Sequence, residues 1–547
     1  MISGSSSRRR VVATAGVAVT ALLLSACGGD DGDGGGSGGG GGGGALTIGT
    51  TDKITFLDPA GSYDNGSFAV MNQVFPFLLN TPYGSPDVEP DIAESAEFTS
   101  PTQYTVTLKP DLKWANGNDL TSSDVKFTFD RQLAIADENG PSSLLYNLDS
   151  VETPDETTVV FNLKSENDQV FPQILSSPAG PIVDEDVFSP DEITPDQEIV
   201  DGEAFHGQYV ITNYDQNNLI SYEAYPDYQG VLGAAKTEQV NVKYYAEASN
   251  LKLDIQEGNI DVAWRSLTAT DIEDLRGNDE VQVVDGPGGE IRYITFNFNT
   301  QPFGTTTSEA DPAKAQAVRQ AAADLLDREE IAEQVYKGTY TPLYSHVPEG
   351  LTGAVEPLRE KYGDGSGGPD AAAAKARLDA AGVTTPVELN LQYSNDHYGP
   401  SSADEYALIK DQLEADGLFT VNLQTTEWTQ YSEQRTADAY PAYQLGWFPD
   451  YSDADNYLTP FFLTENFLSN HYENQQVNDM ILAQASTADP AERQGMIEQI
   501  QDLVADDLST LPYLQGAQVA VVGSGVEGAE DTLDASFKFR YGALSKG

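Results

Sequence analysis

Residues 387 to 393, Val-Glu-Leu-Asn-Leu-Gln-Tyr, alternate apolar and polar side chains as a strand with one buried face does. Residues 402 to 416 follow with helical spacing and stop at Gly417, and 419 to 425 and 442 to 448 read as further strands. Strand, helix and strand in that order imply a parallel pair joined by a right-handed crossover, the unit of an α/β lobe. Ligands meet open sheets of this kind just beyond the carboxyl ends of their strands. Gly446-Trp447-Phe448-Pro449-Asp450-Tyr451 occupies such an end and is the first candidate for a site.

The chain has 547 residues, more than one core accommodates, and its 39% hydrophobic content excludes wholesale disorder. Strand-like runs occupy 46–50, 104–108, 158–163, 208–212 and 219–224, so the first half is rich in sheet. From Asp311 and Pro312, a cap followed by a first-turn proline, helices become prominent; Asp327 with Glu330 starts a second one, closed near Gly338.

At the amino terminus, Arg8, Arg9 and Arg10 precede an apolar stretch over residues 11 to 24 that ends in Leu24-Ser25-Ala26-Cys27, the pattern of an export signal. Ser7-Arg8-Arg9-Arg10-Val11-Val12 resembles a twin-arginine signal, so the general and twin-arginine routes both stand. Glycine, serine and aspartate fill residues 28 to 44, a composition that makes a flexible tether. Within it, Gly35-Gly36-Ser37-Gly38-Gly39 matches the serine-hydrolase elbow only as letters, because that elbow requires a preceding strand and a following helix and a glycine-rich tether supplies the pattern by composition alone. Cys27 is the only cysteine, so no intramolecular disulfide forms. Beyond the leader no apolar run approaches the roughly 20 residues of a membrane span.

The formal net charge of −57 repels nucleic-acid phosphates, and nucleic acid is not an expected partner. His206, His346, His397 and His471 are scattered without paired spacing. Asp450, Asp453 and Asp455 form an acidic cluster, but Tyr457 and a missing glycine break the calcium-loop pattern. No metal, cofactor or catalytic residue is expected, although a spatially assembled carboxylate pair is invisible to spacing.

Collinear segments resemble the extracellular solute-binding proteins, family 5, of peptide, dipeptide and nickel ABC importers. They begin with Leu57-Asp58-Pro59-Ala60, then Glu89-Pro90-Asp91-Ile92-Ala93-Glu94-Ser95, Trp114-Ala115-Asn116-Gly117 and Leu120-Thr121-Ser122-Ser123-Asp124-Val125. Gly207-Gln208-Tyr209, Ile255-Gln256-Glu257-Gly258, Phe296-Asn297-Phe298-Asn299 and Val318-Arg319-Gln320 continue the series. Leu24 to Cys27 is similar to the bacterial lipobox, whose cysteine becomes a lipid-bearing amino terminus.

The resemblance implies an α/β, two-lobed periplasmic-binding-protein-like fold with a hinge and an extra α+β domain. The expected division is a signal peptide at 1–26, Cys27 and tether at 27–44, and a discontinuous lobe I at 45–70, 191–286 and 515–547. The extra domain is expected at 71–190 and lobe II at 287–514. It further implies a monomer, anchored to the outer face of the cell membrane through lipid on Cys27. Such a monomer captures a solute, a peptide foremost, between the lobes and hands it to an ABC permease with its ATPase subunits. A surface sensing or interaction lipoprotein and a secreted hydrolase are the alternatives.

Within the resemblance, Asp450 is similar to the aspartate that meets a peptide's α-amino group, though an ordinary turn residue is the competing reading. Trp447 and Tyr451 stand beside it; Trp447 reads equally as pocket wall or as core. Arg435 lies where some relatives hold a peptide carboxylate, with a surface charge as the favoured competing reading. Gln444 replaces those relatives' second arginine, leaving ligand length open.

Overall fold

The computed structural model describes residues 44 to 547, apart from Ser266, Pro400 and Glu465. The expected signal segment, Cys27 and the tether up to residue 43 lie outside the described residues.

Two long antiparallel strands, Val281–Phe296 and Thr510–Gly523, run through the centre of a mixed sheet that has eleven strands among the described residues. One part of the pair, at 281–287 and 517–523, continues into Val262–Trp264, Leu46–Thr50, Gln239–Tyr244, Leu219–Ala224 and Tyr209–Asp215. The other part, at 291–296 and 510–515, continues into Ala442–Trp447, Val387–Ser394 and Phe419–Thr426. Between the two parts the register shifts, from Pro287 to Ile291 on one strand. Gly288 sits at the shift, and a Cβ there would lie 2.2 Å from the Gly516 carbonyl oxygen, so only glycine lets the backbones approach this closely. Each side of the crossing has its own core: Ile48, Tyr222 and Val242 belong to one, and Leu389, Tyr406 and Val421 to the other. The molecule is therefore α/β with two lobes that meet at a hinge in a shared strand pair.

The expected crossover is present. Val387–Ser394 and Phe419–Thr426 pair in parallel, with the helix Ser402–Glu414 between them in sequence. Gly417 closes the unit at φ 68°, a left-handed conformation that glycine adopts at no steric cost. Local caps explain the helices after residue 311. The Asp311 side chain accepts from the amides of Ala313 and Lys314 ahead of Pro312–Leu325, and Asp327 accepts from the Glu330 amide at 2.9 Å ahead of Arg328–Gln334. Each such cap contributes about 1 kcal/mol.

An added α+β domain interrupts the first lobe. Its antiparallel sheet runs Ala93–Ser100, Gln103–Leu108, Thr158–Leu163, Leu148–Asp155, and the helix Ser122–Ile135 packs on it. Val106, Phe129 and Phe161 share a third core, with the Phe129 and Phe161 rings edge to face at 5.1 Å. Among the described residues no helix is long and apolar enough to cross a membrane.

Candidate functional site

The strand Ala442–Trp447 ends at the crossing of the long strands, and the chain then turns over it: Tyr457 donates to the Gly289 carbonyl at 2.6 Å. A Cβ on Gly289 would come within 2.5 Å of Pro449 Cγ, so the turn rests directly on the hinge backbone. Asp453 caps the short helix Ala454–Tyr457 by accepting from the Asp455 amide at 2.8 Å.

The three aspartates of this turn do different things. Asp453 is buried and holds Arg493 in a two-point pair at 2.8 and 2.7 Å. Asp455 is also buried and accepts from Thr459 at 2.6 Å, from Tyr451 at 3.1 Å and from Gln484. Asp450 is half-buried and borders a cavity of about 360 Å³. One carboxylate oxygen accepts from the Tyr63 hydroxyl, and the other from Asn456 at 3.2 Å. Loss of surrounding water pushes the Asp450 carboxyl above its usual range, while the Tyr63 and Asn456 hydrogen bonds pull it back.

Asn456 positions the cavity acid. Its side-chain oxygen accepts from both Trp447 Nε1 and the Asp450 amide, each at 2.9 Å. Trp447 thus stands behind Asp450, packed edge to face on Phe461 at 5.1 Å, and is not among the cavity-lining residues. Tyr451 does line the cavity. Arg435 does not: it is buried on the helix Trp428–Thr436, with weak bonds at 3.4 Å to the Phe467 and Leu468 carbonyls and its guanidinium over the Phe467 ring.

The cavity's remaining walls come from distant parts of the chain: Tyr63 and Phe68 near the first strand, Ser176 from the added domain, and Phe537 and Lys538 from the final segment. Asp64 lines it too, but its oxygens already accept from Thr55, Ser62 and Ser67, whereas Asp450 receives two side-chain donors among the described residues. Phe537 borders a second chamber of about 180 Å³ as well, whose walls carry Arg265 and Glu290. An acid in an aromatic-lined space between lobes is suited to holding a cationic group away from water. Sequence reading did not find Tyr63, Phe537 or Lys538, since nothing local marks them as sharing a space with Asp450. The one available signal is the alternation of Lys538 and Arg540 with Phe537, Phe539 and Tyr541, an unusual place for two cations.

Burial, and secondarily the Asp453 charge, pushes the Asp455 carboxyl up to about 6. An acid whose folded pKa exceeds its unfolded value near 3.9 binds more protons when native, so it lowers stability as pH rises between about 4 and 6. Relative to the parent, Asp455→Asn is therefore expected to gain about 2 to 3 kcal/mol of unfolding free energy between pH 4 and pH 7 in urea titrations. Parallel parent and variant curves across that window contradict the assignment.

A family model described as bacterial extracellular solute-binding proteins, family 5 Middle, matches residues 87–469. The chain is 23% identical over 494 residues to the probable D,D-dipeptide-binding periplasmic protein DdpA of Escherichia coli K12, covering 88% of this chain and 90% of that protein. The crystal structure of the ABC transporter substrate binding protein CtaP from Listeria monocytogenes is similar at TM-score 0.75 and 23% identity, over 92% of this chain and 99% of that one. A dipeptide binding protein from Pseudoalteromonas sp. SM9913, solved in complex with Met-Leu, is similar at TM-score 0.67 and 18% identity, over 92% of this chain and 100% of that one.

Proposed function

Because the chain belongs to the bacterial extracellular solute-binding proteins of family 5, we propose that it captures short peptides between its lobes and delivers them to an ABC permease. It is a solute-binding protein and not an enzyme. The observation that carries the peptide reading is Asp450: a half-buried carboxylate with two side-chain donors among the described residues, bordering a cavity with aromatic walls where the lobes meet. An α-ammonium entering this space exchanges water for a charged partner, which a neutral or anionic solute does not need. The peptide ligands named for DdpA and for the Met-Leu complex support the same class of solute.

On this reading lobe II spans 287–514, lobe I the segments 45–70, 191–286 and 515–547, and the added domain 71–190. The register shift beside Pro287 and Gln515 supports the two hinge crossings. Trp447 orients Asp450 through Asn456, Tyr451 forms wall, and Arg435 braces the 467–468 backbone instead of meeting solute. The monomer, lipid-anchored through Cys27, works on the outer face of the membrane, an assignment supported by Leu24-Ser25-Ala26-Cys27 and the glycine tether.

Mass spectrometry of the full-length gene product, purified from its membrane fraction, tests both parts. Solute released on denaturation is expected to be peptide with a free amino terminus, and the intact mass to match a chain starting at lipid-bearing Cys27. A recovered solute lacking an amino group defeats the peptide reading. A chain still starting at Met1, or carrying no lipid, defeats the anchor.

A further inference from the structure

A second cavity lies at the opposite end of the strands that lead to Asp450. Val387–Ser394 and Ala442–Trp447 run parallel with Leu391 beside Ala442, so Pro386, Val387 and Pro441 mark their amino ends. Those residues line a space of about 720 Å³, against about 360 Å³ for the cavity that Asp450 borders. The six residues from Ala442 to Trp447 put roughly 15 to 20 Å between this space and the turn that carries Asp450.

The facing wall is the segment 300 to 311, which its own backbone holds in place. The amides of Thr305, Thr306 and Asp311 donate to the carbonyls of Phe298, Asn299 and Phe303 at 2.9 to 3.0 Å. Within it Phe303 adopts φ 63°, a left-handed conformation that a bulky residue rarely takes unless its surroundings impose it. Phe303 lines the cavity, with Lys314 Nζ 5.4 Å from the centre of its ring.

Polar atoms on the same wall lack partners. Gln301 is 2% exposed, and its Oε1 accepts from Arg319 Nη1 at 3.0 Å. Arginine only donates, so the amide nitrogen is the atom left over, and it donates to no group among the described residues. Thr300 Oγ1 is buried and has no partner among them either. Such groups are costly unless water or a ligand satisfies them.

The charges around the cavity are mixed. Lys314 stands against the exposed carboxylates of Glu309 and Glu388, while Asp311 is occupied in capping the helix Pro312–Leu325. An anion meets the two acids and a cation meets the ammonium, so neither is favoured. A sugar fits better, because each hydroxyl both donates and accepts while the apolar face of the ring rests on an aromatic or a proline.

We propose that this cavity is a second binding site, for a short neutral oligosaccharide, with Phe303 under a sugar ring and Gln301 Nε2 donating to one of its oxygens. The protein then holds a glycan at the far end of these strands while the cleft stays free for solute. Nothing in this assignment depends on the peptide reading.

Maltotetraose, cellotetraose and tetra-N-acetylchitotetraose are each offered to the full chain, with binding detected by saturation-transfer NMR and measured by calorimetry. At least one is expected to bind; no transfer to any of the three overturns the proposal. Phe303→Gly retains the backbone, since glycine adopts φ 63° at no steric cost, and is expected to weaken that binding by about 10-fold or more. Gln301→Glu keeps the acceptor for Arg319 but removes the donor, and is expected to weaken it by a similar factor. Parent-like affinity in either variant, with folding verified by circular dichroism, overturns the assignment. A photoreactive derivative of the bound sugar tests the parent without any variant to fold: label on residues 300 to 311 supports the site, and label confined to other segments overturns it.

Discussion

Asp450→Asn is expected to weaken binding of peptides with a free amino terminus by about 2 to 5 kcal/mol while leaving the protein folded. The substitution keeps the shape of the side chain and its Oδ1 acceptor for the Tyr63 hydroxyl, so it removes the charge and the 3.2 Å bond from Asn456. An ammonium brought into this aromatic-walled cavity then loses its counter-ion after giving up its water, and the penalty of the unpaired charge dominates the measured loss. Amino-acetylated peptide carries no such charge, so the parent is expected to bind it weakly and Asp450→Asn to bind it no worse than the parent does. A long-range field is separable because screening over about 10 Å at 0.1 M salt weakens it, whereas a contact pair inside the cavity is screened much less. Calorimetry at two salt concentrations with both peptide forms decides the matter. Parent-like affinity of Asp450→Asn for free peptide makes Asp450 an ordinary turn residue and moves the ammonium grip elsewhere in the cleft.

How much of this was legible beforehand depends on how far apart in the chain the cause and its effect lie. Gln103–Leu108, Thr158–Leu163 and Leu219–Ala224 could be read because one buried face imposes alternation within the strand itself. Asp311 and Asp327 could be read because a cap bonds to amides two or three residues away. Asp450, Asp453 and Asp455 look alike as a string, and only tertiary structure separates them, by bringing Arg493 to one, Gln484 to another and a cavity to the third. The same holds for the far wall. Tyr63 and Lys538 sit near opposite ends of the chain, and they share a cavity because the long strand Thr510–Gly523 carries the chain back to the first lobe. No window of local sequence contains that return. Arg435 is a candidate from the resemblance and not from any local pattern, and the helix Trp428–Thr436 places its guanidinium beside the carbonyls of Phe467 and Leu468.

The segment Leu57-Asp58-Pro59-Ala60, read first as part of a resemblance, has a physical role that carries the largest expected effect on stability. Asp58 caps the short helix Pro59–Gly61 by accepting from the Ala60 amide at 3.0 Å, and it also accepts from the Thr194 amide at 2.7 Å. Its main partner is Arg131, on the helix Ser122–Ile135 of the added domain, bonded through both nitrogens at 2.9 and 2.5 Å. The two side chains are 0% and 2% exposed, so this pair couples the added domain to the first lobe without competition from water. Removing one member leaves the other charged and buried without its counter-ion. Asp58→Ala is therefore expected to cost about 3 to 5 kcal/mol in urea unfolding. Arg131→Met should cost a comparable amount, and Asp58→Ala with Arg131→Met clearly less than the sum of the two, because the second change removes the charge that the first leaves unpaired. Strict additivity, or a single-variant loss below about 1 kcal/mol, shows the pair to be replaceable by water. It would then locate the coupling of the two domains in their packing, through rings such as Phe188, which lies 5.5 Å from the Arg131 guanidinium and edge to face with Phe75.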